Sequence, residues 1–361
     1  MRPVVDEEML QAALFSLQNE KLVMGESVYK FEEEFARYCS TRYAVSTASG
    51  TAALQIALQS MGIDEEDEVM TTPFSFFATS NAVIHAGAQP TFADVEKDGF
   101  NLDPKKVELK LTPKTRAVIP VHLYGHPSRM KEFKDLADDK GISIVEDACQ
   151  AHGAEYQGRR VGSLGHVGVF SFYTSKNMTV CGDGGMIVTN DEQVAEAARS
   201  FRDCGRASKY TMSRIGYTSR LNTVNAAIGR VQLKKLDQWN EARREMADMY
   251  RRELEGVAGV ELPPAETTGT TPVYHLFVVQ SDHRDKIASH LEKNGVEAAI
   301  HYPVPIHLQA PYRTRYGYSE GSFPLSERLA ERVLSLPIHP AITAEEVRSV
   351  SRLVRETTTA E

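Results

Sequence analysis

Short apolar runs alternate with amphipathic stretches through the first half of the chain, and this alternation limits the fold more than any other feature. Strand-like runs at Tyr43–Ser46, Glu68–Thr71, Pro90–Asp94, Ala117–Val121 and Ile142–Glu146 are separated by helical patterns near 52–61, 77–86 and 129–140. Val169–Phe172 and Met186–Thr189 read as two further strands. Strands with helices between them predict a mainly parallel sheet covered on both faces. The first helix is predicted near 26–38, where Val28, Phe31 and Phe35 recur at helical spacing and Glu32, Glu33 and Glu34 read as a solvated face. One long helical pattern from Thr223 to Leu254, with Ile228, Val231, Leu236 and Trp239 on a shared side, reads as a connector. Beyond a Pro/Thr-rich loop at Leu262–Pro272, a strand at Tyr274–Gln280, a helix near Arg284–Asn294 and a terminal helix near Thr343–Arg355 suggest a smaller α+β part. Thr343 followed by Glu346 has the spacing of a capping box for that last helix. The expectation is an α/β chain with a large, mainly parallel sheet domain over 1–245 and a small C-terminal α+β domain over 246–361.

A chain of 361 residues is long enough for two or three domains and for a core without metal or disulfide staples. Lys and Arg total 41 against 49 Asp and Glu, a net charge of −8, which argues against a nucleic-acid partner. No stretch approaches the ~20 apolar residues of a membrane span. The opening MRPVVDEEML lacks the apolar core of a signal peptide. The four cysteines, Cys39, Cys149, Cys181 and Cys204, form no CxxC and no Cys/His metal spacing, so a reducing cytoplasm and no metal are expected.

Ligands of open parallel sheets sit beyond the C-terminal ends of the strands, and three clusters fall there. Ser49-Gly50-Thr51 lies between a strand and a helix, where free N–H groups and the helix dipole can cradle a phosphate or simply cap the helix. Glu146-Asp147-Ala148-Cys149-Gln150-Ala151-His152 closes an apolar strand; a carboxylate there either caps the next helix or faces a cation such as a protonated ring nitrogen. Ser171-Phe172-Tyr173-Thr174-Ser175-Lys176-Asn177 precedes Gly182-Asp183-Gly184-Gly185, so that Lys176 is either an exposed loop lysine or a partly desolvated amine able to bond a carbonyl. The glycines do not form GxGxxG, which removes the dinucleotide fingerprint and with it a nicotinamide dehydrogenase. A phosphate cradle, a strand-end Asp147 and a Ser/Lys pair with Lys176 29 residues further on supply the three grips that pyridoxal phosphate needs: donors for its phosphate, an anion for its pyridinium and an amine for its aldehyde.

With these motifs in order, the sequence resembles the DegT/DnrJ/StrS family of pyridoxal-phosphate-dependent nucleotide-sugar aminotransferases. The carrying segments are Thr72–Thr79, Glu146–Gly153, Ser171–Gly185, Gly216–Arg220, His301–Gln309 and Leu336–Pro340, which span nearly the whole chain. The resemblance implies fold type I, with active sites at the interface of a homodimer. It implies that Lys176 bonds the cofactor and moves the proton, that Asp147 pairs with the pyridinium nitrogen, and that Gln150 lies near the phenolic oxygen. Gly50, Thr51 and Ser171 would hold the phosphate and Phe76 would stack on the ring. The family's usual Asn, which reaches the partner's phosphate, is Thr218 here, and the usual Glu of the glycine turn is Asp183.

The activity implied is transfer of an amino group from an amino acid, glutamate by family habit, to a nucleotide-linked keto-sugar. The His301–Gln309 segment, stiffened by Pro303 and Pro305, would present His301, Tyr302 and His307 to the substrate, with Arg220 as a further donor, and leans towards a 3-keto sugar. A 4-keto enzyme and a non-catalytic, cofactor-binding regulator are the alternatives. Lys176 argues against a sugar dehydratase, which typically carries His there. His152 reads as a local hydrogen-bonding group; His122, His126 and His339 carry no argument.

Overall fold

The computed structural model describes residues 4–264, 266 and 269–358, so part of the Leu262–Pro272 loop lies outside the described residues. The chain begins with α1 (Glu7–Asn19) and α2 (Glu26–Cys39). It then alternates β1 (Tyr43–Thr47), α3 (Gly50–Ser60), β2 (Glu68–Thr71), α4 (Ala78–Ala86), β3 (Gln89–Phe92), α5 (Pro104–Glu108), β4 (Thr115–Val118), α6 (Met130–Lys140) and β5 (Ser143–Asp147). The short strands β6 (Glu155–Tyr156) and β7 (Arg159–Arg160) precede β8 (Val167–Ser171), β9 (Gly185–Thr189), α7 (Glu192–Arg202) and the long α8 (Thr223–Leu254). The remainder is β10 (Thr270–Thr271), β11 (Phe277–Gln280), α9 (Arg284–Lys293), α10 (Ala310–Tyr316), α11 (Pro324–Arg332), β12 (Val333–Leu336) and α12 (Ala344–Thr358).

Seven strands form the main sheet in the order β1-β9-β8-β5-β4-β2-β3. It is parallel from β8 through β3, and β9 runs antiparallel to both neighbours, β1 and β8. Period-two alternation feeds two cores: Phe170, Met186 and Val188 join Phe31 and Phe35 of α2 on one face, while Val167, Val169 and Ile187 join Leu54 and Ile56 of α3 on the other. Each of these large apolar side chains contributes about 1.5–3 kcal/mol of burial. β11 and β12 form a separate antiparallel pair that packs with α9, α12 and the C-terminal end of α8, where Tyr250 stacks on Phe277 at 4.8 Å. Thr343 and Glu346 make the reciprocal capping bonds, Thr343 N–H to Glu346 Oε2 at 2.7 Å and Glu346 N–H to Thr343 Oγ1 at 3.2 Å.

Four expectations need correction. Helix α1 precedes the first one predicted; Asp6 caps it, accepting from Met9 N at 3.1 Å, but Leu10, Leu14, Phe15 and Leu17 are exposed, so no single apolar stripe marks it. Leu236 does not share a side with Ile228, Val231 and Trp239: those three meet Met9 of α1, whereas Leu236 packs on the opposite side with Phe35 and Phe170. The strand predicted from Tyr274 starts at Phe277, because Tyr274 has φ +41° and its carbonyl is held by Arg243. Glu32 is not solvated. It is buried, accepts from Ser46 N–H at 2.9 Å and Ser46 Oγ at 2.7 Å, and pairs with buried Arg202, which also donates to Ser46 O at 2.8 Å.

Candidate active site

β5 delivers two consecutive buried carboxylates at its C-terminal end, and their surroundings separate their roles. Glu146 accepts from Gly162 N at 2.8 Å, from Leu164 N and Gly165 N at 2.6 Å each, and meets His122 Nε2 at 3.0 Å. His122 Nδ1 accepts from Ser128 N–H, so Nε2 carries the proton and donates to Glu146. Glu146 is therefore saturated. Asp147 accepts from Thr79 Oγ1 at 2.8 Å and from Cys149 N at 3.2 Å, and no Lys, Arg or His among the described residues lies within ion-pair distance. Its backbone is fixed from both directions, N–H to Pro120 O and C=O from His122 N–H, each at 3.0 Å. A fixed, 4% exposed carboxylate with unused acceptor capacity suits a cation arriving from outside the protein.

Lys176 follows β8 on a turn whose next residue, Asn177, is bolted down. Asn177 Nδ2 donates to Asn240 Oδ1 and Val273 O at 3.0 Å each, and its Oδ1 meets His275 Nδ1 at 3.2 Å. Burial of the Lys176 amine pushes its pKa down, against the pull of Cys149 and Asp147. Its charge in turn helps to hold nearby imidazoles neutral: burial first, then Lys176, pushes His152 down to about 3 and also lowers His301. His152 lies against the rings of Phe170 and Phe172.

Gly50 opens α3 behind Ser49, whose Oγ accepts from Ala52 N at 3.1 Å. The first N–H groups of a helix have no acceptor within it. A Cβ on Gly50 would stand 2.7 Å from Ser171 Cβ and 3.1 Å from Cys149 Sγ, so the space beside Ser171 exists because residue 50 is glycine. Thr51 occupies the same first turn. Ala48 N–H donates to Ser219 O at 3.0 Å, which brings the Thr218–Arg220 stretch alongside this helix start. Thr218 itself is exposed, with Oγ1 3.3 Å from Cys204 Sγ, and Arg220 is engaged by Asp203.

The His301–Gln309 segment is divided between two places. Tyr302 reaches the sheet end: its hydroxyl accepts from Gln150 Nε2 at 3.0 Å and its ring lies 6.0 Å from that of Phe76, which is 56% exposed. His301 meets Ser335 Oγ at 2.9 Å. His307 does not join them. It is fully buried, bonded to Glu327 at 3.0 Å and edge-on to Phe323, so the expectation that it is presented to a substrate is corrected. Gln150 is more occupied than expected, since its Oε1 also accepts from Tyr124 N–H at 2.9 Å. Sequence reasoning missed Thr79 and Tyr124 as partners. Thr79 closes the Thr72–Thr79 segment four residues after Ser75, which it meets at 3.1 Å, but Tyr124, whose hydroxyl bonds His301 O, carries no local signal.

Overall architecture and the lysine-bearing strand end define an aminotransferase of the pyridoxal-phosphate class. More narrowly, the chain belongs to the DegT/DnrJ/EryC1/StrS aminotransferase family, which matches residues 3–355. It is 44% identical over 340 residues, 94% of this chain and 89% of the relative, to dTDP-3-amino-3,4,6-trideoxy-alpha-D-glucose transaminase of Streptomyces venezuelae. It is 39% identical over 341 residues, 94% and 91% of the two chains, to a pleiotropic regulatory protein of Geobacillus stearothermophilus. The X-ray structure of S. venezuelae DesV superposes with a TM-score of 0.96 at 42% identity, covering 98% of this chain and 95% of that one. The residues present fit pyridoxal phosphate: the glycine-floored space beside Ser171 takes a phosphate, open Asp147 a protonated ring nitrogen, and the desolvated Lys176 amine an aldehyde.

Proposed function

We propose that this protein transfers an amino group from an amino acid, glutamate, to a nucleotide-linked 3-keto hexose. The observation that carries the reading is a desolvated Lys176 amine beside an unpaired Asp147 carboxylate at neighbouring strand ends. Pyridoxal phosphate, when bound, supplies an electrophilic carbonyl carbon and an electron-poor ring. The chain does the rest. Burial keeps a larger share of Lys176 Nζ unprotonated at neutral pH, so that it can act as nucleophile and then accept and return a proton. Asp147 would keep a proton on the ring nitrogen, while Thr79 holds the carboxylate still. Gly50, Thr51 and Ser171 would hold the phosphate. Phe76 would lie against the ring, and Gln150 holds Tyr302 beside Phe76.

The name of the S. venezuelae relative supports the 3-keto substrate, and the influence of the Lys176 charge on His301 supports His301 and its neighbour Tyr302 as sugar contacts. Regulation without catalysis is the reading suggested by the Geobacillus relative's name; an intact Lys176 and Asp147 favour catalysis. The half-reaction of the wild-type holoenzyme with glutamate decides between them, and an inert one favours the regulator. Lys176→Ala should abolish the borohydride-reducible cofactor linkage and all turnover, and wild-type covalent occupancy in this variant would overturn the Lys176 assignment. Competition between 3-keto and 4-keto nucleotide sugars at equal concentration, with the aminated carbon located by NMR, tests the regiochemistry; amination at C4 alone rejects the 3-keto substrate.

A homodimer with shared sites belongs to the same reading, supported by Tyr210 and Ile215, which stand 83% and 91% exposed near Thr218, and by the exposed apolar residues of α1. Light scattering should give twice the chain mass, and a monomer at assay concentration contradicts it. Residence in the cytoplasm is supported by four free cysteines, and among the described residues no helix is long and apolar enough to cross a membrane. A boundary near residue 245 is supported by Ala247, Tyr250 and Leu254 packing with the C-terminal elements.

A further inference from the structure

Residues 172–184, which carry Lys176 from β8 to β9, form neither helix nor strand, so their backbone groups need partners of other kinds. Some are met within the segment: Lys176 N–H reaches Tyr173 O at 2.9 Å and Val180 N–H reaches Phe172 O at 3.3 Å. Helix α8 supplies more, through amide side chains. Asn225 Nδ2 donates to Val180 O at 2.7 Å, and Gln232 Oε1 accepts from Thr179 N–H at 2.8 Å. Further along the helix, Asn240 Oδ1 accepts from Asn177 Nδ2 at 3.0 Å. These three amides are seven and eight residues apart, about two helical turns each, and so share one side of α8. The lysine-bearing segment runs against the helix direction and meets Asn240, Gln232 and Asn225 in that order. Asn240 does one thing the others do not. Its Nδ2 donates to His152 O at 2.7 Å, so a single amide, 2% exposed, holds the turn after Lys176 with its oxygen and the turn after Asp147 with its nitrogen. Glycine leaves the room for this: Gly153 has φ +84°, and a Cβ there would stand 2.8 Å from Asn240 Nδ2.

We infer that Asn240 is a positioning residue whose amide fixes the spacing between the Asp147 turn and the Lys176 turn, with Gln232 and Asn225 holding the far end of the lysine-bearing segment on the same helix. The inference rests on the reading of Lys176 as the amine that bonds the cofactor and moves the proton; it adds that the aim of this amine is set from α8. Asn is a poor residue for a helix interior, and a buried amide is costly without partners. Both arms of Asn240 are filled, one from each turn. Lys176 adjoins Asn177, and Asp147 lies five residues before His152, so a shift at either arm passes along a short stretch of chain to a reacting group. A misplacement of about 1 Å costs a positioned transfer about 10²-fold, without touching the groups that bind substrate.

The test compares the holoenzymes of wild type, Asn240→Leu and Leu254→Ala. Asn240→Leu keeps a similar size and removes both arms. Leu254→Ala truncates a buried residue at the other end of α8, packed with the C-terminal elements, and controls for stability lost elsewhere. In Asn240→Leu, kcat should fall by about 10²-fold with KM for glutamate and for the sugar within about twofold of wild type. Amide hydrogen exchange over residues 172–184 should quicken by about tenfold or more. The isotope effect with α-deuterated glutamate should rise, because the proton transfer itself is slowed. Leu254→Ala should lower Tm and leave all three readouts as in wild type. Wild-type kcat and exchange in Asn240→Leu, or equal losses in Leu254→Ala, overturn the proposal. If Asn240→Leu does not fold, Gln232→Met, which removes the acceptor of Thr179 N–H, should lower kcat about tenfold with KM unchanged, and a wild-type kcat there rejects the amide ladder. Lys176→Ala keeps the two failures apart. A cofactor linkage that survives in that variant overturns the Lys176 reading; its loss there, together with wild-type kcat in Asn240→Leu, rejects the role of Asn240 alone.

Discussion

The ends of β5 and β8 and the His301–Gln309 segment contribute to one site by different means. At the strand ends, side-chain direction follows from strand register: β5 pairs with β8 in parallel, Asp147 opposite Val169, and the chemistry-bearing residues emerge together. In the segment, His301 and His307 are six residues apart with similar local sequence, yet one meets Ser335 beside the site and the other is buried against Glu327. Backbone period places the first group. Partners distant in sequence place the second.

The largest effect that sharpens this contrast is expected from Asp147→Asn, which keeps the size and removes the charge. Turnover should fall by about 10²-fold or more with the fold intact; a wild-type rate would make Asp147 a merely structural residue, held by Thr79 and Cys149, and erase the distinction from saturated Glu146. Next comes acid stability. His126 and His152 are both held near 3 by burial, against an ordinary 6.5, so between these values the unfolded chain binds more protons than the folded one. Their contribution is fully present above pH 6.5 and is lost as pH falls towards 3, at about 1.4 kcal/mol per pH unit for each imidazole. Denaturation of His152→Phe across this window should show a shallower pH slope than wild type, and an equal slope refutes burial of neutral His152. Third, His307→Ala should cost about 1–3 kcal/mol of stability by removing the bond to Glu327 and leaving a cavity against Phe323, with KM for the sugar unchanged. His301→Ala should do the reverse, raising KM with little change in Tm, and a KM effect from His307→Ala would merge the two regions. The smallest effect is Thr343→Ala, about 1 kcal/mol through loss of the α12 cap and measurable by urea denaturation.

Much of this was legible because parallel strands write their ends into the sequence. Apolar Ile142–Val145 closing on Glu146 and Asp147 marks a sheet end by composition alone, and Gly50 after β1 marks a close approach. What failed did so where contacts override pattern. Glu32 reads as a solvated residue within a run of three glutamates, yet Arg202, 170 residues away, draws it inward. Leu236 shares a nominal helical side with Ile228, but a helix gripped on two sides buries both. Saturation of Glu146 by three N–H groups at 162–165 has no sequence signature, so the two carboxylates of β5 could be told apart only in three dimensions.

The Glu32–Arg202 pair also bears on what the molecule avoids. β1 lies at one rim of the sheet, and the N–H and C=O of Ser46 on that rim are taken by Glu32 and Arg202, as an added strand would take them. At the other rim β3 contains Pro90, which has no N–H to give, and Lys110 Nζ occupies Phe92 O at 3.2 Å. Open rims invite edge-to-edge polymerisation. With both plugged by its own side chains, this sheet resists growing into a fibril during synthesis or storage, and association of two copies is steered away from strand pairing at either rim.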